Sequence, residues 1–349
     1  MNFDLLKLVR KNIKELKPYS SARHEFTGKA SVFLDANENA YGSPVEERYN
    51  RYPDPLQWQL KFQLARIKGV PAENIFVGNG SDEIIDLAYR IFCEPKKDNV
   101  IICPPTYGMY EVSGNINDVE IKKVNLTADF QLDVESILNA VDENTKLLFI
   151  CSPNNPTGNN MKREDVEMLL NNFNGIVIID EAYINYSKQR TFIAELTEYP
   201  NLIVMQTLSK AWGLAGLRIG LCYASMDIID LLNKVKPPYN INEASQHIAL
   251  QALQRTELVN DWIREVVQQK EVIVSALKDI AFVKQIYPSD ANFILIKVND
   301  AAALYKYLSD NEVVVRNRSK DIGCENCLRI TIGTPEENSN LIKILNAYK

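Results

Sequence analysis

Lys210 stands in "TLSKAWGLAGLRIG", residues 207 to 220, with Leu208 and Ser209 before it, Ala211, Trp212 and Gly213 after it, and Arg218 eight positions on. A lysine among small and apolar neighbours is partly enclosed. Enclosure disfavours the ammonium form, so the side chain becomes a candidate amine nucleophile. The competing reading is a lysine that caps a turn, and this segment alone does not separate the two.

Four further segments carry residue types suited to one site. "VGNGSDEIIDLAYR" reads as a strand end, a glycine-bearing turn and a helix start that Ser81 or Asp82 can cap. Free N–H groups at such a helix start favour a phosphate, and a plain capped turn explains the segment equally well. The third glycine of a dinucleotide fingerprint is absent, because position 83 is Glu83, which speaks against an oxidoreductase. "CPPTYGMY" presents Tyr107, whose ring could lie over a planar ligand or pack in a core. "SPNNPTG" is a turn whose Asn155 side chain can bond a ligand oxygen, although turn chemistry accounts for it too. In "GIVIIDEAYINYS", Asp180 follows four apolar strand residues. A carboxylate there is costly without a partner, so a cationic one is expected, with Tyr183 nearby. Thr207, Ser209 and Arg218 add donors for a phosphate. A planar, phosphorylated pyridine aldehyde would satisfy these demands together: cradle, stacking ring, oxygen donor, acid at the ring nitrogen, and an amine to condense with the aldehyde.

These residues need a scaffold. Between about residues 70 and 225, "NIFVG", "NVIIC", "VEIKKVNL", "TKLLFIC", "GIVIID" and "NLIVMQ" read as strands alternating with helix-period segments. That pattern predicts an α/β fold with a mostly parallel sheet covered by helices, whose ligands bind in the loops after the strands. Beyond "KPPYN" a long helical stretch runs to about residue 279, and "NFILIKV", "EVVVRNRS" and "CLRITIG" supply strands of a smaller α+β domain. The expected division is an N-terminal arm over 1–36, a large ligand-binding domain over 37–240 and a small C-terminal domain over 241–349. The stripe Leu5, Leu6, Val9, Ile13 and Leu16 predicts an amphipathic helix docking on the body, rather than a transit peptide.

Composition narrows the partners. The 349 residues, 46% hydrophobic, suffice for a sizeable core. With 39 basic against 45 acidic residues and no long single-sign run, no nucleic-acid footprint is expected. No apolar run approaches the ~20 residues that span a bilayer, so no membrane partner is expected. The six cysteines are scattered, with Cys103, Cys151 and Cys222 in apolar runs, as suits reduced thiols in a cytoplasm. Cys324 and Cys327 form a C-x-x-C pair, but zinc would need two more ligands from a chain with only His24 and His247, so no metal is expected.

In the order and spacing of these segments the chain resembles the fold-type I aminotransferases that use pyridoxal 5'-phosphate. Among them, "LDANENAYGSP" at 34–44 followed by "RYPDP" at 51–55 is similar to the histidinol-phosphate aminotransferase family. The resemblance implies that Lys210 bonds the cofactor's aldehyde carbon, Asp180 pairs with the ring nitrogen, Asn155 and Tyr183 bond the phenolic oxygen, and Tyr107 stacks on the ring. Gly80, Ser81, Asp82, Thr207, Ser209 and Arg218 match positions around the cofactor, mainly its phosphate. Tyr52 matches a tyrosine that reaches the neighbouring subunit's cofactor, which implies a homodimer with shared active sites. Arg316 and Arg329 are implied to clamp the phosphate of L-histidinol phosphate, with Arg329 also taking the carboxylate of glutamate or 2-oxoglutarate, and Tyr19 matches a substrate-side position. Ala40-Tyr41 departs from the proline and phenylalanine of many relatives. An aromatic amino-acid aminotransferase or a threonine-phosphate decarboxylase could share Lys210, Asp180 and Arg218, and a non-catalytic regulator on this fold would need an added DNA-binding module for which no residues are left over.

Overall fold

The computed structural model describes residues 3–19 and 31–348. His24 therefore lies outside the described residues, as does part of the expected arm. The larger sheet has seven strands: β1 (Ile75–Asn79), β2 (Asn99–Ile102), β3 (Glu120–Lys123), β4 (Thr145–Cys151), β5 (Ile176–Asp180), β6 (Leu202–Thr207) and β7 (Ile219–Ala224). Their order is β1-β7-β6-β5-β4-β2-β3. The pairs β2–β3, β2–β4, β4–β5 and β5–β6 are parallel, while β7 runs antiparallel to both β1 and β6.

β5 and β6 are buried from end to end because helices cover both faces. The two-residue period divides their side chains between two cores. Ile176 and Ile178 pack with Ile84, Ile85 and Ala88 of the helix Gly80–Phe92, with Ile228 and Leu232 of the helix Met226–Val235, and with Tyr110. Val177 and Ile179 pack on the opposite face with Leu60 and Leu64 of the helix Trp58–Lys68 and with Val166 and Leu169 of the helix Arg163–Asn172. By the same period Asp180 has the parity of Ile178, and so faces the helix Gly80–Phe92. At the outer edge, β3 carries Glu120, Lys122 and Lys123, charges that discourage pairing with another strand.

Two strands exceed the sequence expectation. β7, "IGLCYA", is fully buried between β1 and β6, and β8 (Val283–Ile286) edges the second sheet. That four-stranded antiparallel sheet adds β9 (Phe293–Val298), β10 (Arg316–Asn317) and β11 (Cys327–Thr331) in the order β10-β11-β9-β8. The expected strand "EVVVRNRS" is thus confined to two residues, and β10 places Arg316 directly across from Arg329. A third core joins this sheet to the helices Thr256–Lys278, Ala301–Asp310 and Pro335–Ala347. The helical stretch after "KPPYN" is split into Glu243–Leu253 and Thr256–Lys278, and Ala249 and Leu253 of the first belong to the core under the large sheet.

The N-terminal stripe forms two short helices, Leu5–Leu8 and Lys11–Glu15, instead of one. At the break the Arg10 N–H donates to the Ile91 carbonyl (2.9 Å), so docking on the body replaces an intrahelical bond. Val9 and Ile13 are buried there, whereas Leu6 and Leu16 are exposed. Among the described residues no helix is long and apolar enough to cross a membrane.

Candidate active site

A cleft of about 800 Å³ opens where the carboxyl ends of β4, β5 and β6 meet the loop of β10 and β11. Ser81, Asp82, Tyr107, Asn155, Asp180, Tyr183, Thr207, Ser209, Lys210, Arg218, Arg316 and Arg329 all line it. Five loops of the large sheet and the β10–β11 ladder of the second therefore bring these expected residues to one place.

Its floor is shaped by two glycines. Gly80 has φ +74°, and a Cβ there would lie 2.5 Å from an Arg218 guanidinium nitrogen. A Cβ on Gly220 would lie 2.4 Å from Gly80 C and Ser81 N. Only side-chain-free residues let β7 pass this close to the start of the helix Gly80–Phe92. The Gly80 N–H donates to the Arg218 carbonyl (2.6 Å), and Arg218 itself takes a left-handed φ of 55°. Such a conformation in a non-glycine residue costs about 1–2 kcal/mol and persists where the surroundings impose it. Contrary to expectation, neither Ser81 nor Asp82 caps the helix. Glu83 Oε2 accepts from the Asn79 N–H (2.5 Å), which leaves Ser81 and Asp82 to the cleft.

Asp82 joins two residues expected to act separately. It accepts from the Tyr107 hydroxyl (3.1 Å) and pairs with Arg218 Nη2 (3.1 Å). Burial and the adjoining carboxylate push the Tyr107 phenol above its ordinary value. Thr207 Oγ1 donates to the Ile219 carbonyl (3.2 Å) and accepts from the Ser209 N–H (3.0 Å), so it shapes the turn that presents Ser209 and Lys210.

Within the protein, the buried Asp180 is held by two neutral donors. Its Oδ2 accepts from the Tyr110 hydroxyl (2.7 Å) and its Oδ1 from the Ala182 N–H (3.0 Å), neither of which is cationic. Burial pushes its carboxyl above the usual range, and these two donors oppose that shift. Tyr110 is the residue that sequence reasoning missed. It lies three positions after Tyr107 in "CPPTYGMY", and the two rings meet edge to face at 5.6 Å. Tyr110 follows the loop that carries Tyr107, on the helix Met109–Ile116, and nothing in the sequence marks it as a partner of Asp180.

Lys210 faces the cleft between buried Ala211 and Leu208, with Nζ 5.6 Å from the centre of the Tyr183 ring. Lys210 as a whole is exposed, so its enclosure by the surrounding protein is only partial. That enclosure lowers its basicity, the charges of Arg329 and Arg218 lower it further, and Asp180 acts in the opposite sense. Its Nζ donates to no carbonyl among the described residues, so the turn-capping reading fails. Asn155 Oδ1 accepts from Arg329 Nη1. Arg329 also lies over the Phe293 ring at 5.2 Å, and Phe293 in turn meets the Tyr183 edge at 5.1 Å.

Two expected residues lie elsewhere. Tyr52 stacks on Tyr239 at 4.4 Å beside a second cavity, and half of its surface is exposed. Tyr19, exposed, lines a third cavity with Trp58 and Lys61. Cys324 and Cys327 are buried free thiols, and among the described residues no group of three metal-ligating side chains occurs.

Comparison with known proteins places this geometry. The aminotransferase class I and II family model matches residues 35–345. A histidinol-phosphate aminotransferase from Cytophaga hutchinsonii is 51% identical over 348 residues, covering 100% of both chains. One from Parabacteroides distasonis is 52% identical and covers 99% of both. The chain belongs to the aminotransferase class I and II family and, within it, to the histidinol-phosphate aminotransferases. Among solved structures, the histidinol-phosphate aminotransferase of Sinorhizobium meliloti in complex with pyridoxal-5'-phosphate shares the fold, with a TM-score of 0.78 at 23% identity over 89% of this chain and 90% of that one. An L-threonine-O-3-phosphate decarboxylase from Porphyromonas gingivalis also shares it, with a TM-score of 0.72 at 25% identity over 86% and 90%.

Proposed function

We propose that this chain transfers the amino group of L-histidinol phosphate reversibly to 2-oxoglutarate, giving imidazole acetol phosphate and L-glutamate, with pyridoxal 5'-phosphate as cofactor. The observation that carries the reading is one cleft holding Lys210, the buried Asp180, the glycine-shaped helix start at Gly80 and, across from them, Arg316 and Arg329. Full-length relatives at 51–52% identity bearing that enzyme's name support the substrate.

The residues fit the cofactor. Asp180 is a buried carboxyl whose protein donors are both neutral, and a protonated ring nitrogen supplies the missing cation. The helix start, Ser81, Ser209 and Arg218 offer donors for its phosphate. Asn155 keeps its amide hydrogens, and Tyr183 its hydroxyl, free of protein acceptors among the described residues, so both can donate to its phenolic oxygen. Tyr107, which lines the cleft, would stack on its ring. When bound, the cofactor supplies an aldehyde carbon that takes up the amino group and a ring that accepts the electrons left by the broken C–H bond.

This chain's own groups do the rest. Lys210 would hold the cofactor through its Nζ and, once freed, would serve as the base that takes the proton from the substrate's amine-bearing carbon. Its lowered basicity leaves more of the amine unprotonated at a given pH. Arg316 and Arg329, paired across β10 and β11, bind the substrate's phosphate in one half-reaction, and Arg329 binds the dicarboxylate in the other. The active form is a homodimer in which the exposed Tyr52 of each chain reaches the other's cofactor phosphate, and Tyr19 takes a substrate-side position. The free thiols support a cytoplasmic setting.

The test is product formation by the cofactor-loaded enzyme given L-histidinol phosphate and 2-oxoglutarate. Glutamate and imidazole acetol phosphate should appear one for one. Absence of both would refute the proposed substrate.

A further inference from the structure

The wall facing Lys210 holds more cations than a carboxylate needs. Arg316 stands opposite Arg329, and the ladder continues one step as the Arg318 N–H donates to the Cys327 carbonyl (2.9 Å). Strand alternation returns Arg318 to the side of Arg316. Arg316, Arg318 and Arg329 line the cleft together, as do Lys320 and Asp321.

Asp321 is the wall's counter-charge. Its Oδ2 lies 2.5 Å from Arg318 Nε. Both atoms are shielded from solvent, yet neither makes a properly directed hydrogen bond. The Arg318 Nη groups donate to no protein acceptor among the described residues. The pair sits on a tight turn, in which the Asp321 N–H donates to the Arg318 carbonyl (2.9 Å) and the Cys324 N–H to the Asp321 carbonyl (3.0 Å). Arg318 is therefore held near the cleft by charge, with its donors unspent.

The two half-reactions present this wall with different anions. A carboxylate has two oxygens in a plane, whereas a phosphate ester has three oxygens around a tetrahedral centre and close to two charges. Two forked guanidiniums suffice for the carboxylate, and the third phosphate oxygen has no counterpart in it. We propose that Arg318 is a third phosphate-binding residue that favours L-histidinol phosphate over glutamate, and that Asp321 is the counter-ion the phosphate displaces. This rests on the reading in the preceding section.

Ping-pong kinetics give a KM for each substrate separately. Arg318→Gln should raise the KM for L-histidinol phosphate about tenfold, the effect of one charge-assisted hydrogen bond, and leave that for L-glutamate unchanged. Asp321→Asn should lower the KM for L-histidinol phosphate, because it frees Arg318. A purely structural ion pair would respond in the same direction whichever side is broken, so opposite signs separate the two roles. Arg318→Lys, which keeps the charge beside Asp321 and loses the fork, should fall between, and thermal melts of all three variants identify any that misfold. Calorimetric binding of L-histidinol phosphate in a Lys210→Ala background should follow the same order without turnover. Parallel rises in both Michaelis constants, or no change in either variant, would overturn the inference. A wild-type enzyme inert toward L-histidinol phosphate would overturn the functional reading and the inference with it.

Discussion

The Tyr110 hydroxyl donates a 2.7 Å hydrogen bond to Asp180 Oδ2, tying the end of β5 to the start of the helix Met109–Ile116. A hydrogen bond to a buried carboxylate favours its charged form. Tyr110→Phe should therefore push the Asp180 carboxyl still higher and weaken its hold on a protonated ring. Bonds of this kind are worth about 1.5–3 kcal/mol, so cofactor affinity should fall roughly tenfold or more. Equilibrium dialysis against pyridoxal phosphate measures this, and unchanged affinity would remove Tyr110 from the site.

Asp180 also makes a stability prediction. Its folded-state pKa is raised, so between the unfolded and folded values the native state binds the extra proton and stability falls as pH rises through that window. Above it, the cofactor-free protein carries the full penalty of a buried charge. Asp180→Asn should therefore raise the melting temperature of the cofactor-free protein at neutral pH, while abolishing transamination in the loaded one. The advantage should shrink as pH is lowered below the ordinary carboxyl range. A less stable cofactor-free variant at neutral pH would contradict this.

Gly220→Ala inserts a Cβ 2.4 Å from Gly80 C and Ser81 N, both backbone atoms with little room to yield. Overpacking of this sort costs about 1–3 kcal/mol. Chemical denaturation should register that loss, and phosphate-dependent cofactor binding should weaken with it because the helix start is displaced. Full stability would mean that the close approach is not required.

Arg329→Ala removes a guanidinium that bonds Asn155 and faces the cleft. Both Michaelis constants should rise, by about tenfold or more for a charge-assisted contact. A rise confined to the glutamate half-reaction would refute its phosphate role.

Much of this arrangement is legible in the sequence because Asn155, Asp180 and Lys210 sit at or just after the ends of β4, β5 and β6, and strand ends of a parallel sheet share one edge. Asp180 follows "IVII", and Lys210 follows "LIVMQ" by a short turn. What escapes is tertiary. β7 is a short apolar run that follows a loop directly, and periodicity does not separate such a run from a buried helix turn. The Tyr110 phenol that bonds Asp180 comes from another element, and no pattern within β5 encodes that contact. The N-terminal stripe reads as one helix until the Arg10 N–H finds Ile91 instead. Arg318 lies in "VVVRNRS", but only the register of β10 against β11 turns it toward the cleft.

The most direct measurement is the visible absorption spectrum of the cofactor-loaded enzyme on adding L-histidinol phosphate without any keto acid. The lysine-bound cofactor band should give way to that of the amino form, and 2-oxoglutarate should restore it. A spectrum that ignores L-histidinol phosphate but responds to aromatic amino acids or threonine phosphate would contradict the proposed substrate, and a protein with no lysine-bound band at all would contradict the role of Lys210.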